Sequence, residues 1–284
     1  VNVGQLLRVA FGLRDPNKLP YPARYDHTGQ PHRAPLGEDP EGGLVRYWPM
    51  DEQPNALVAG TPGAGKTITL YGIYHHWVRS GVFSRIWVCD PKMVDFKALR
   101  FQAPPGVELC VLPGDIERAI ASFRREVEHR FERDYAGEDI NHIIQHEGRL
   151  GLLVDELADV TFKEAGLERG SDDWEENQAR QRNARNLRLA AQKDRAAGGH
   201  IVLSTQYPSV DVVTTAIKVS SDFRIHYRVT QTAAGPAVLD DPAAASLPPI
   251  KGRGLVGPRG FTEPTQLYWV DPAPFRAGSP RSVP

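Results

Sequence analysis

Residues 58–67 read VAGTPGAGKT, an apolar run that ends in three glycines, a lysine and a threonine. From Gly60 to Thr67 the stretch fits the spacing G-x-x-x-x-G-K-[ST], in which a loop between a strand and a helix wraps phosphate. Gly60, Gly63 and Gly65 permit backbone conformations and close approaches that a Cβ would block, so successive N–H groups can point at phosphate oxygens. Thr61, Pro62 and Ala64 complete the loop. A helix starting near Lys66 adds the positive end of its dipole. Lys66 is placed to neutralise β- and γ-phosphates, and the Thr67 hydroxyl to ligate Mg²⁺. The alternative is a Gly-rich structural turn.

Outward from this loop the texture is that of an α/β chain with a largely parallel sheet. Strand candidates lie at 56–60, 85–90, 107–112, 150–156, 200–206 and 223–229, each a near-continuous apolar run of the kind that suits strands covered on both faces. The clearest helix begins near Asp115, where Ile116, Ile120, Phe123, Val127 and Phe131 recur along one face. Its charged remainder reads as a solvated face. Residues 161–182 are polar and acidic and read as a surface excursion. Residues 252–258 and 265–271 read as a closing pair of strands. Three parts follow: an irregular segment with a leading hairpin at 1–50, a nucleotide-binding domain at 51–270, and a Pro-rich tail at 271–284. The tail is expected to be disordered.

The composition is that of a globular protein, with 40% hydrophobic and 24% charged residues among 284. A formal net charge of -1 excludes a wholly basic binder of nucleic acid, though not a few well-placed cations. The two cysteines, Cys89 and Cys110, sit in strand-like runs and read as buried, reduced thiols of a cytoplasmic protein. No apolar run reaches the ~18 residues of a membrane helix, and no signal peptide is visible. The chain opens on Val1, so a fragment or processed form is expected, with any membrane anchor in sequence not present here.

A second motif is RLGLLVDELADV at 149–160, a strand ending in Asp155-Glu156. A carboxylate at the C-terminal end of a strand beside the phosphate loop suits a water-mediated hold on Mg²⁺. Glu156 is placed to polarise an attacking water. An acidic pair is also a common helix start, and that reading stands beside the catalytic one. The adjacent pair, with no N-K-x-D guanine reader, points to ATP chemistry rather than a GTP switch.

The stretch AAQKDRAAGGHIVLSTQYPSVDVVTTAIK at 190–218 resembles the FtsK/SpoIIIE family of DNA translocases. The resemblance extends to VCDPKMVDF at 88–96, to LVDELAD at 153–159 and to the hairpin leading into the first strand at 36–60. Altogether it covers roughly residues 36 to 270, with four motifs in the family's order.

The resemblance implies a RecA-like P-loop fold with a mostly parallel central sheet flanked by helices. It implies a homo-oligomeric, hexameric ring with ATP and Mg²⁺ between neighbouring subunits. Arg195 matches the family's K-A-R-A-A-G arginine and would reach a neighbour's nucleotide; its alternative is a solvated arginine at a helix end. Gln206, supported by Thr205, would sense the γ-phosphate. Asp90 and Lys92 match the family's D-P-K motif and are expected near the subunit boundary. Lys218 matches a pore-facing lysine that would contact double-stranded DNA, against the alternative of a helix-terminal lysine satisfying carbonyls. Where the family has arginine in Q-R-P this chain has Tyr207, and 230–237 lacks the family's basic residues. Arg224 and Arg228 then remain as further candidates for DNA contact. The expected function is an ATP-hydrolysing motor that translocates double-stranded DNA, in chromosome partition or conjugative transfer. The alternatives are a type VII secretion-like ATPase moving protein, and a nucleotide-gated assembly scaffold.

Overall fold

The computed structural model describes residues 18–41, 43–162, 166, 168–229 and 242–276. The described chain begins with β1 (Leu19–Pro20) and a hairpin of β2 (Arg33–Glu38) and β3 (Val45–Pro49). It then enters β4 (Asn55–Ala59), which is buried at every position. Such a strand needs cover on both faces and neighbours on both edges, and it has them. β8 (Gly199–Thr205) pairs with it on one side and β9 (Phe223–Tyr227) on the other, both parallel. Beyond β8 lie β7 (Arg149–Val154), β5 (Phe83–Cys89) and β6 (Val107–Cys110), all parallel. Beyond β9 the sheet turns antiparallel through β10 (Arg253–Pro258), β11 (Glu263–Trp269), β2 and β3, with β1 added to β11.

Two cores sit on the two faces. On one, α1 (Lys66–Ser80) sets Leu70, Tyr71, Tyr74 and Trp77 against Trp48, Val58, Val88 and Ile225. On the other, α3 (Pro113–Tyr135) and α6 (Asp172–Ala190) set Phe123, Val127 and Leu187 against Leu152, Val154 and Ile201. Each fully buried side chain of this size contributes about 1.5–3 kcal/mol. α2 (Leu99–Gln102), α4 (Ile140–Glu147), α5 (Leu157–Thr161), α7 (Thr215–Ser220) and α8 (Ala273–Arg276) are shorter connections. No described helix is long and apolar enough to cross a membrane.

The hairpin within 1–50 is formed by β2 and β3, which extend the central sheet and bring Trp48 and Met50 into its core. Two expectations need correction. The excursion at 161–182 becomes helical from Asp172. There Ser171 accepts a hydrogen bond from the Trp174 N–H, and Asp172, Asp173 and Glu175 complement the helix dipole. The tail is not disordered at its start: the Phe275 ring is buried and stacks on Tyr71 at 4.2 Å. The Phe275 carbonyl also accepts from the Ala98 N–H at 2.7 Å. The aromatic anchor and this backbone hydrogen bond offset part of the entropy of ordering the segment, which composition alone does not reveal.

Candidate active site

The strand register decides which residues meet. Val154 lies level with Cys89 on one side and Leu203 on the other, and Ala59 lies level with Thr205 and His226. The next residues along these strands, Gly60, Asp90, Asp155, Gln206 and Tyr227, therefore share the C-terminal edge of the parallel strands. That edge is where open α/β sheets place ligands.

The phosphate loop is built against β9. A Cβ on Gly60 would come within 2.4 Å of the Tyr227 Cβ, so only glycine fits beneath the loop. Gly63 takes a φ of 75, a left-handed value that other residues rarely adopt. The Tyr227 hydroxyl donates to the Gly65 carbonyl at 3.2 Å and pairs with the Thr69 hydroxyl at 2.6 Å. Lys66 is buried, and its Nζ donates to the Gly60 and Thr61 carbonyls at 2.7 and 3.0 Å. Burial pushes its pKa down to about 8. A triphosphate would replace the two carbonyls with far stronger acceptors.

Around Thr67 lies a set of hard oxygen donors. Its hydroxyl donates to Asp95 Oδ2 at 3.3 Å. Asp155 is pushed up to about 7 by burial and by the charges of Asp95, Asp90 and Glu156. Crowded carboxylates of this kind are relieved by a divalent cation. Among the described residues no three His, Cys, Asp or Glu side chains form a ready metal cage. That suits Mg²⁺, which is held by one or two protein oxygens together with substrate phosphates and water. Thr67 and Asp155 are the residues that would hold it, as the motifs imply. Asp95, which sequence reasoning missed, lies beside them; its signal was the second acidic residue of VCDPKMVDF.

Glu156 has a φ of 68, one of only two described non-glycine residues with positive φ; the other, Met93, is in the neighbouring loop. Backbone strain of this kind costs on the order of 1–3 kcal/mol and is held only where surroundings enforce it. Here they do. Glu156 Oε1 accepts from the Thr205 hydroxyl and the Gln206 N–H, both at 3.1 Å. Oε2 accepts from Lys92 Nζ at 3.0 Å. Lys92 thus turns into the site of its own chain. Against the lowering effect of burial, its bond to Glu156 and the charges of Glu156, Asp159 and Asp155 raise its pKa. Asp90 is buried, and its Oδ2 accepts from the Asp95 and Phe96 N–H groups, so it shapes the loop that carries Lys92 and Asp95.

Arg195 lies elsewhere. It occupies a 3₁₀ turn (Asp194–Ala197) ahead of β8, separated from its own phosphate loop by roughly 20 Å of strand. Its side chain is exposed beside Lys193. The turn itself is fixed: Asp194 Oδ1 accepts from the Arg195 N–H at 2.7 Å and from Asn55 at 3.3 Å. Asn55 in turn accepts from the Ile201 N–H. Burial pushes Asp194 up to about 7.

The three candidates for DNA contact do not form one patch. Lys218 is half-exposed on α7, ahead of β9 and far from the phosphate loop. Arg228 is exposed at the other end of β9, where its carbonyl accepts from the Thr61 N–H and hydroxyl at 3.1 and 3.2 Å. Arg224 is fully buried, and its guanidinium donates to the Ser221 and Lys218 carbonyls. It cannot present its charge to a phosphate backbone, which removes it from the set. Residues 230–237 lie outside the described residues.

No family model matches the chain. DNA translocase FtsK of Halalkalibacterium halodurans is 30% identical over an alignment of 252 positions that covers 82% of this chain and 30% of that protein. DNA translocase FtsK of Streptomyces avermitilis is 31% identical over a gapped alignment of 295 positions that covers 94% of this chain and 29% of that protein. The chain belongs to the FtsK family. It spans about 30% of the length of these FtsK relatives. Among solved structures, the pCW3 conjugation coupling protein TcpA, in a monomer form with ATPγS, superposes with a TM-score of 0.74 at 23% identity, covering 91% of this chain and 71% of TcpA. Thermomonospora curvata EccC, ATPases 2 and 3, gives 0.64 at 16% identity over 91% of this chain and 44% of that one. Both likenesses share the mixed sheet of a P-loop ATPase.

Proposed function

We propose that this FtsK-family chain is an ATP-hydrolysing motor that works as a ring and translocates double-stranded DNA. One observation carries the reading. Lys66, Thr67, Asp155, Glu156 and Gln206 converge on one edge of the sheet, while Arg195 stands exposed at the opposite edge. A single copy then holds most of one site and the missing cation of another.

In the assembled site the loop Gly60–Thr67 binds the phosphates, and Lys66 leaves its carbonyls for the β- and γ-oxygens. Thr67 and Asp155 would hold Mg²⁺, which would neutralise charge developing on the transferring phosphoryl group. Glu156 takes a proton from a water as its oxygen attacks the γ-phosphorus. The bond from that phosphorus to the β–γ bridging oxygen breaks, and ADP keeps the electron pair. Gln206 ends β8 beside the attacked group. Arg195 of a second copy neutralises the same oxygens. Lys218 would pull the DNA backbone by charge without reading bases.

The test mixes two variants. Lys66→Ala and Arg195→Ala are each inactive alone, and together they should recover part of the turnover, because one mixed interface carries both lost groups intact. Full turnover by isolated copies, with no rescue on mixing, would sink the reading. A second reading, a protein cargo, draws support from one observation: burial of Arg224 leaves fewer cations for DNA. Stimulation of turnover by linear duplex DNA, lost in Lys218→Ala, separates the two. A chain that binds ATP and never hydrolyses it would be the scaffold.

A further inference from the structure

We propose that Lys92 is a positioning residue that withholds the Glu156 carboxylate from its water until a triphosphate draws the ammonium away. The inference rests on Glu156 being the base of the site described above and adds what restrains it.

Every hydrogen bond to the Glu156 carboxylate comes from a donor: the Thr205 hydroxyl and Gln206 N–H on Oε1, and Lys92 Nζ on Oε2. A carboxylate offers about four lone-pair directions, and one already engaged by a donor cannot accept a proton from water. Two of the donors cannot leave. Thr205 is fully buried, and the Gln206 N–H belongs to the backbone at the end of β8. Lys92 can. Its side chain is 37% exposed while that of Glu156 is 2% exposed, and it sits on the loop whose Met93 has a left-handed backbone.

The chemistry of the site supplies the trigger. Lys92 stands in the same field as Lys66, Asp155 and Asp159. A γ-phosphate carries more charge than one carboxylate and offers three oxygens, so it outcompetes Glu156 for an ammonium on a flexible stem. Oε2 is then released only when there is something to hydrolyse. In this arrangement the restraint and the recognition of the triphosphate are performed by one side chain. The left-handed backbone at Glu156 keeps the carboxylate in place after the release, since Thr205 and Gln206 still hold Oε1.

The experiment measures equilibrium binding of ATP and of ADP, without any cargo, to the parent, Lys92→Met, Lys92→Arg, Glu156→Gln and the double variant Lys92→Met/Glu156→Gln. Because the ammonium leaves Glu156 for the γ-phosphate, Lys92→Met is expected to lose about tenfold of the parent's preference for ATP over ADP, and Lys92→Arg, which keeps the charge, to retain most of it. Glu156→Gln, which frees the ammonium beforehand, should tighten ATP about tenfold while ADP changes by less than about threefold. The double variant should lose that gain, showing that it passes through Lys92. An unaltered preference in Lys92→Met, or a gain from Glu156→Gln that persists without Lys92, overturns the proposal. The outcome is distinct from failure of the motor reading, because binding decides it whether or not the parent turns over.

Discussion

The two ends of the parallel strands hold opposite kinds of surface. At the C-terminal end, Asp90 and Glu156 are buried on donors of the same chain and Asp155 is buried beside other carboxylates. At the N-terminal end, Arg195 and Lys193 are exposed, while their anchor, Asp194 on Asn55, is buried. Each end also carries one carboxylate pushed up to about 7, chiefly by burial. At Asp155 the charges of Asp95, Asp90 and Glu156 add to burial, a contribution that a cation would reverse. The first end is thus suited to receive positive charge and the second to offer it, as the proposed shared site requires.

Changes that break this division come first in size. Arg195→Ala should cut kcat by about 10³-fold or more in assembled protein while leaving ATP affinity within a few fold, as single-turnover kinetics and nucleotide binding would record. An unchanged kcat would remove Arg195 from the shared site. At the other end, Glu156→Gln should lower kcat by about 10²–10⁴-fold with ATP still bound, measurable by turnover alongside equilibrium binding. Normal turnover in that variant would show that another group activates the water.

The next sharpens the contrast between the two raised carboxylates through stability. Asp194 has a folded pKa above its unfolded value of about 3.9. Its contribution is therefore full below pH 4 and is lost as pH rises toward 7, on the order of 4 kcal/mol at most. Asp194→Asn, which keeps an acceptor for the Arg195 N–H, should flatten that slope in a series of thermal melts from pH 4 to 8. His75 and His76, pushed down to about 4 by burial, act in the reverse sense and lose stability as pH falls from about 6.5 to 4. Only the difference between variant and parent isolates Asp194, and two parallel curves would contradict the assignment.

The smallest expected effect concerns cargo. Lys218→Ala should reduce the log–log salt slope of duplex binding by about 0.9, one phosphate contact. An unchanged slope would place the contact elsewhere.

Much of the fold was legible because buried parallel strands announce themselves as apolar runs. NALVA, HIVLST and RLGLLV needed no long-range information to be read. The phosphate loop and Asp155-Glu156 were legible because their chemistry demands fixed spacing. What stayed hidden depends on pairing across distance. Nothing local says that Lys92 turns onto a glutamate 64 residues away. Arg224 looked like a free cation because arginine in a strand is normally exposed, whereas here it closes the carbonyls of α7. The start of the tail was misread because its prolines dominate the composition, while Phe275 alone decides where it goes.

β9 deserves a mechanical reading. Its Tyr227 end braces the nucleotide loop from below, and its Arg224 end grips the last turn of α7, which carries Lys218. Five residues, about 17 Å of extended chain, span the two with no hinge between them. Such a strand behaves as a pushrod: whatever tilts the loop must drive α7 or tear the clamps at one end. Sequence drift in this rod would desynchronise stroke and traction before it harmed either alone.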